Sequence, residues 1–129
     1  MPATWRFVWA GSMAILLAAC GGGGSSSTPS PTPSPGGGTI TISNNAVSPK
    51  TITIAPGSQV TFVNNDSRTH EMFSDPHPEH TDCPEINQVG FLNPGQRGQT
   101  GNMNTVGKCG FHDHNMNAVQ SLQGTITIQ

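Results

Sequence analysis

Short runs in which threonine alternates with isoleucine are the feature that most restricts the fold of this chain. They occur at residues 39–42, at residues 51–54 and near the end, at residues 125–128. A period of two sends successive side chains to opposite faces of a β-strand, so each run predicts a strand with one buried face. Residues 59–63 predict another strand, and turn signals such as Pro56-Gly57 and Pro94-Gly95 lie between the runs. We therefore expect an all-β sandwich or small barrel of about six to eight short strands.

The first 19 residues have the features of a bacterial signal peptide. Arg6 provides the positive end, and residues 7–19 are largely apolar. This stretch is shorter than the roughly 20 apolar residues that a membrane-spanning helix needs. The sequence Leu17-Ala18-Ala19-Cys20 resembles the bacterial lipobox, in which cleavage precedes a cysteine that receives lipid. The alternative is an ordinary secretory signal that ends in cysteine, and both alternatives predict export to the cell envelope.

Residues 21–38 contain only glycine, serine, threonine and proline. Such a tract has no apolar surface to bury; its glycine-rich ends are flexible and its proline-rich middle favours an extended chain. We interpret residues 20–38 as a lipidated Cys20 followed by a tether to the membrane, at the periplasmic face or the cell surface. Residues 39–129 then form one domain.

The charge of that domain excludes some functions. All seven acidic residues of the chain lie in it, against Lys50, Arg68, Arg97 and Lys108. Binding to nucleic acid calls for clustered lysine and arginine, so no nucleic-acid partner is expected. We find no Ser/His/Asp order and no paired catalytic carboxylates, and we therefore do not expect an enzyme.

All five histidines and two of the three cysteines lie in the domain, in two groups. The first group lies in a polar segment, residues 69–88, and consists of His70, His77 and His80. The second group lies in residues 109–116 and consists of Cys109, His112, His114 and Met116. A cysteine and a histidine three residues apart at a strand end can turn toward one point, and a thiolate, two imidazoles and a weak thioether suit copper. Cys-x-x-His also occurs in zinc sites, so the spacing alone is weak evidence for copper.

Several motifs, in order, resemble those of plastocyanin-like cupredoxins and cover nearly all of residues 39–129. The similar segments are residues 42–49, the runs at 51–54 and 60–66, Ser67-Arg68-Thr69-His70, residues 90–96, Cys109-x-x-His112 and Gly124-Thr125-Ile126. The resemblance implies a Greek-key β-sandwich of about seven to eight strands with a mononuclear copper site at one end. It implies His70, Cys109 and His112 as copper ligands, with Met116 as a candidate axial ligand. Single-electron transfer to a redox partner protein is the implied function.

Three departures from the family pattern leave alternatives open. Leu122 stands where the family's axial methionine is usual, Glu71 follows the first histidine, and Cys83 is extra. Disulfides persist outside the cytoplasm, so a Cys83–Cys109 bond would remove the thiolate. The histidines His70, His112 and His114, with His77 or His80, would then suit Cu(II) in a copper-sequestering lipoprotein. The third alternative is a metal-free β-domain stabilised by the disulfide.

Overall fold

The computed structural model describes residues 36–129, and these form two β-sheets. The nine strands are β1 (Gly38–Ser43), β2 (Ala46–Ser48), β3 (Thr51–Ile54), β4 (Val60–Asn64), β5 (His70–Ser74), β6 (Gly90–Leu92), β7 (Arg97–Gln99), β8 (Gly107–Asp113) and β9 (Gly124–Ile128). Three single 3-10 turns span Ile86–Gln88, His114–Met116 and Gln120–Leu122, and the described part of the chain has no α-helix. The predicted all-β fold is confirmed, with nine strands where about seven to eight were expected.

The strand order places the functional segments in one sheet. The smaller sheet has the order β2-β1-β4-β7, and the larger has the order β3-β9-β8-β5-β6. The pairs β1/β4 and β3/β9 are parallel, and the other neighbours are antiparallel. The two histidine-bearing strands, β5 and β8, are therefore neighbours in the larger sheet.

The alternating runs supply the core between the sheets. Isoleucines on β1, β3 and β9 are fully or almost fully buried: Ile40, Ile42, Ile54, Ile126 and Ile128. Phe62 on β4 and Phe111 on β8 meet edge to face with ring centroids 5.1 Å apart. Complete burial of one such side chain contributes about 1.5–3 kcal/mol, so these residues hold the sheets together and fix which face of β8 points inward.

The long connection between β5 and β6 is ordered by hydrogen bonds although it has little regular structure. The amide of Ser74 donates to Asn87 Oδ1 at 2.9 Å, and the amide of Cys83 donates to Ser74 Oγ at 2.8 Å. Asn87 Nδ2 donates to the carbonyl of His80 at 2.9 Å. These bonds fold the segment back beside β5 and position its histidines.

The predictions for the signal peptide, for Cys20 and for most of the tether concern residues 1–35, which lie outside the described residues. Strand β1 begins at Gly38, one residue before the expected start of the domain. Within residues 36–129, no helix is long and apolar enough to cross a membrane.

Candidate metal centre

The predicted thiolate ligand is in a disulfide. Cys109 is bonded to Cys83, and their Cα atoms are 5.8 Å apart. A disulfide sulfur carries no thiolate, so the expectation that Cys109 is a copper ligand is wrong for this structure. The open alternative, a Cys83–Cys109 bond, is the one that the structure contains.

Strand geometry gives a second reason why Cys109 and His112 do not converge. We expected both residues to turn toward one point at a strand end, but β8 continues unbroken to Asp113. Residues three apart in a strand point to opposite faces. Cys109 is 3% exposed and belongs to the core, whereas His112 lies opposite Phe73 on the outer face of the larger sheet.

His70 lies on the inner side of the sheet, held between two carboxylates. It is fully buried, and its Nδ1 is 2.6 Å from Asp113 Oδ2. Because an ionised carboxylate only accepts hydrogen bonds, Nδ1 is the donor. Its Nε2 lies 3.4 Å from Asp66 Oδ2, which is ion-pair range without hydrogen-bond geometry. Neither ring nitrogen of His70 is directed at another histidine.

Both carboxylates beside His70 are fixed by the backbone. Asp113 Oδ1 accepts the amide of Asn115 at 3.0 Å and caps the 3-10 turn His114–Met116. Asp66 Oδ2 accepts the amide of Asn45 at 2.7 Å. Backbone hydrogen bonds from Asn45 and Ser67 lower the pKa of Asp66, and His70 lowers it further. This end of the sandwich is thus a connected polar network.

Met116, the candidate axial ligand, packs partly buried against the core. Its sulfur lies 3.7 Å from Arg68 Nη1, a weak exposed contact. The structure therefore does not assemble the predicted set of His70, Cys109, His112 and Met116 into one site.

A different set of histidines does converge. One ring nitrogen from each lies within 4.8 Å of the others in a cluster formed by His77, His80, His112 and His114. We call this the four-histidine cluster. From the sequence, His114, His77 and His80 are alternatives only. His77 and His80 lie in a proline-rich loop, where histidines are usually solvated. The signal that could have found them is the pairing of two short-spaced repeats, His77-x-x-His80 and His112-x-His114.

Local structure explains the convergence. His112 is on the outer face of β8, and His114 begins the 3-10 turn after that strand. His77 and His80 come from the segment after β5, the strand adjacent to β8. Phe73 packs against the four-histidine cluster, with its ring centroid 4.6 Å from that of His80 and 5.3 Å from that of His114.

One buried nitrogen of the cluster has neither a hydrogen bond nor a carboxylate in ion-pair range, unlike Nε2 of His70, which lies 3.4 Å from Asp66 Oδ2. His112 Nδ1 is 2.7 Å from Asp75 Oδ1, while the buried Nε2 has no hydrogen-bond partner. His114 Nδ1 and His80 Nε2 are 3.2 Å apart. Burying a polar atom without a partner costs free energy, so an unpartnered imidazole nitrogen beside three others marks a place for a cation.

Electrostatics favour the uncharged imidazole of His80. Burial lowers the pKa of His80, and the neighbouring histidines His112, His114 and His77 lower it further by repulsion, against a smaller opposing effect of Glu79. Metal ions bind the neutral imidazole, so this shift keeps a ligand nitrogen available near neutral pH.

No family model and no curated protein matches the sequence. Solved structures do match. A purple cupredoxin from Nitrosopumilus maritimus is 21% identical over 70% of this chain and 98% of that chain, with a TM-score of 0.53. Plastocyanin from Dryopteris crassirhizoma is 18% identical over 70% and 99%, with a TM-score of 0.56. Amicyanin from Paracoccus versutus is 14% identical over 70% and 79%, with a TM-score of 0.57.

These similarities define the class of fold. Residues 36–129 form a cupredoxin β-sandwich, as the sequence motifs implied. The identities are too low to transfer a ligand set, and the ligand set that the family resemblance implied differs from the histidines that converge here.

Proposed function

We propose that this domain is a copper-binding module that holds Cu(II) in the four-histidine cluster. The observation that carries the proposal is the buried Nε2 of His112, which has no partner and belongs to a histidine clustered with three more. A thiolate-based copper site does not fit the residues present, because Cys109 is bonded to Cys83. The role proposed is binding and buffering of the metal rather than catalysis.

The chemistry of the donors favours copper over other divalent ions. Imidazole suits zinc, copper and nickel, and for a given nitrogen site the affinity is greatest for Cu²⁺. Nitrogen donors without thiolate favour the Cu(II) state. His77 is exposed and His80 and His114 are half-buried, so the ion would have an open route from solvent.

We also propose that the protein is exported and tethered to a membrane through Cys20. The support is the lipobox-like sequence and the disulfide, since such bonds persist in oxidising compartments outside the cytoplasm. A module of this kind would meet copper in the cell envelope.

Single-electron transfer with a redox partner protein is the second candidate. The fold favours it, because the similar structures include plastocyanin described in its oxidized form and an amicyanin described as Cu(I). Electron transfer requires a site that exchanges an electron readily. In this chain, histidines alone would have to provide that site.

Copper titration of the chain carrying Cys20→Ser tests the proposal. We expect one Cu(II) per chain, weak d–d absorption, and nitrogen couplings in the electron paramagnetic resonance spectrum. His80→Gln and His112→Gln should each weaken binding by about 100-fold or more, beyond what loss of a supporting group costs. Met116→Leu is the matched control and should change neither affinity nor spectrum.

The same spectra decide between the candidates. An intense visible band of thiolate charge transfer would overturn the histidine-only site and favour the electron carrier. Tighter binding of Zn²⁺ than of Cu²⁺ at equal pH would overturn the choice of metal.

A further inference from the structure

Asp75 is the carboxylate that contacts the four-histidine cluster directly. It follows β5, and its Oδ1 lies 2.7 Å from Nδ1 of His112. The imidazole is 3% exposed and the Asp75 side chain is 45% exposed, so the hydrogen bond joins a buried ring to a partly exposed carboxylate. Because a carboxylate only accepts, this contact selects the neutral tautomer in which Nδ1 of His112 carries the proton and Nε2 keeps its lone pair.

The backbone holds Asp75 in place from both sides. Its amide donates to the carbonyl of Gly110 at 3.1 Å, and its carbonyl accepts the amide of Asp82 at 2.9 Å. The hydroxyl of Ser74 also donates to that carbonyl at 2.9 Å. The carboxylate is thus aimed by a fixed main chain rather than by a mobile loop.

Gly110 provides the space that the Asp75 carboxylate occupies. A Cβ atom at position 110 would overlap Asp75 Oδ2 and crowd Cγ. Gly110 is not among the residues with positive φ, so alanine would fit the backbone there and the conflict would be with the carboxylate alone. The absence of a side chain at Gly110 therefore leaves room for the hydrogen bond between Asp75 and His112.

We propose that Asp75 is the positioning residue of the metal site and that Gly110 is the space it requires. By accepting a hydrogen bond from Nδ1–H of His112, Asp75 fixes the tautomer that presents Nε2 to the cation. It also places a negative charge behind a ring that would bind a divalent ion. This inference rests on the proposed function, and it concerns a residue that would touch a ligand rather than the metal.

Metal-free protein gives the first test, independent of copper. Nitrogen-15 spectra of the chain with Cys20→Ser should show a protonated Nδ1 and an unprotonated Nε2 for His112 near neutral pH. Asp75→Ala should abolish that preference, whereas Asp75→Asn keeps an acceptor of the same shape and should retain most of it. Asp82→Ala removes an equal charge from an exposed neighbour and is the matched control.

Copper affinity gives the second test. Loss of such a supporting group typically weakens metal binding 10- to 100-fold, so we expect about that loss for Asp75→Ala and a smaller one for Asp75→Asn. Gly110→Ala should reproduce the loss although Asp75 is retained. In the double variant the losses should not add, because both changes remove one hydrogen bond.

The outcomes separate the two proposals. Wild-type protein that shows the expected tautomer but binds no copper would overturn the proposed function. Asp75→Ala that folds, as judged by a dispersed amide spectrum, and keeps either the tautomer or the full affinity would overturn the positioning role. Additive losses for Asp75→Ala and Gly110→Ala would overturn the role given to Gly110.

Discussion

His70 and His112 lie on neighbouring strands and each contacts a carboxylate through Nδ1, yet they belong to two different kinds of site. Each has its Nδ1 bonded to a carboxylate, Asp113 at 2.6 Å for His70 and Asp75 at 2.7 Å for His112. They differ at Nε2. In His70 this nitrogen faces a second carboxylate, and in His112 it has no partner and its ring lies among three other histidines.

The second nitrogen therefore decides what a buried histidine does. Between two carboxylates the ring is a structural bridge, here between the Asp66 turn and the end of β8. With one carboxylate behind it and a free lone pair in front, it has the arrangement of a metal ligand. The family resemblance assigned both residues to one site, and the structure separates them onto opposite faces of a sheet.

The largest expected effect is a loss of stability when the histidine on the inner side of the sheet is removed. His70→Ala would leave the fully buried Asp113 carboxylate without its partner, and removal of one member of a buried pair costs about 3–5 kcal/mol. We expect that loss in urea unfolding, with copper affinity of the folded protein unchanged. His77→Ala, at an exposed member of the cluster, is the control with the opposite profile: near-normal stability and weaker copper binding. Weaker copper binding by His70→Ala at temperatures where it is folded would contradict the separation.

The disulfide gives the next effect; it lies on the inner face but holds the segment that carries two of the outer histidines. It joins residues 26 apart and ties the segment that carries His77 and His80 to β8. Closing a loop of that length stabilises a folded chain by about 3–4 kcal/mol in the chain-entropy account.

A variant with both Cys83→Ala and Cys109→Ala should show this loss and also weaker copper binding, since two ligands lose their crosslink. The double variant avoids reductants, which would also reduce the copper. With Cys20→Ser, the otherwise unaltered protein should show no free thiols under denaturing, non-reducing conditions. Two free thiols would contradict the disulfide and restore Cys109 as a candidate ligand.

The same comparison shows what the sequence could predict. The alternating runs identified β1, β3 and β9, because their period directly reflects burial on one face. Strand β5 was missed, because its inward positions include His70 and Ser74, whose polar side chains hide the period. The site was harder to predict, since neither the partner of Cys109 nor the face of His112 follows from the Cys-x-x-His spacing. The face of His112 depends on β8 continuing in strand conformation through Asp113. The partner of Cys109 depends on how the connection after β5 folds back and places Cys83.

The smallest expected effect is on the pH dependence of stability, because the two regions lose stability in different pH ranges. Burial and the neighbouring imidazoles hold the pKa of His80 below its ordinary value of 6.5. Between the folded pKa and 6.5 the unfolded chain binds more protons than the folded one, so the stability of metal-free protein should fall as pH decreases through that range.

Asp66 loses stability in the same direction but at lower pH, because its hydrogen bonds place its pKa below the ordinary 3.8. The stability it provides is complete above that value and is lost only as pH falls through the lowered pKa. We therefore expect melting temperatures of the chelator-treated protein to drop as pH falls below 6.5, well before Asp66 contributes. The drop should be smaller in His80→Gln and unchanged in Asp66→Asn, and an equal drop in wild type and His80→Gln would show that the cluster does not control stability in this range.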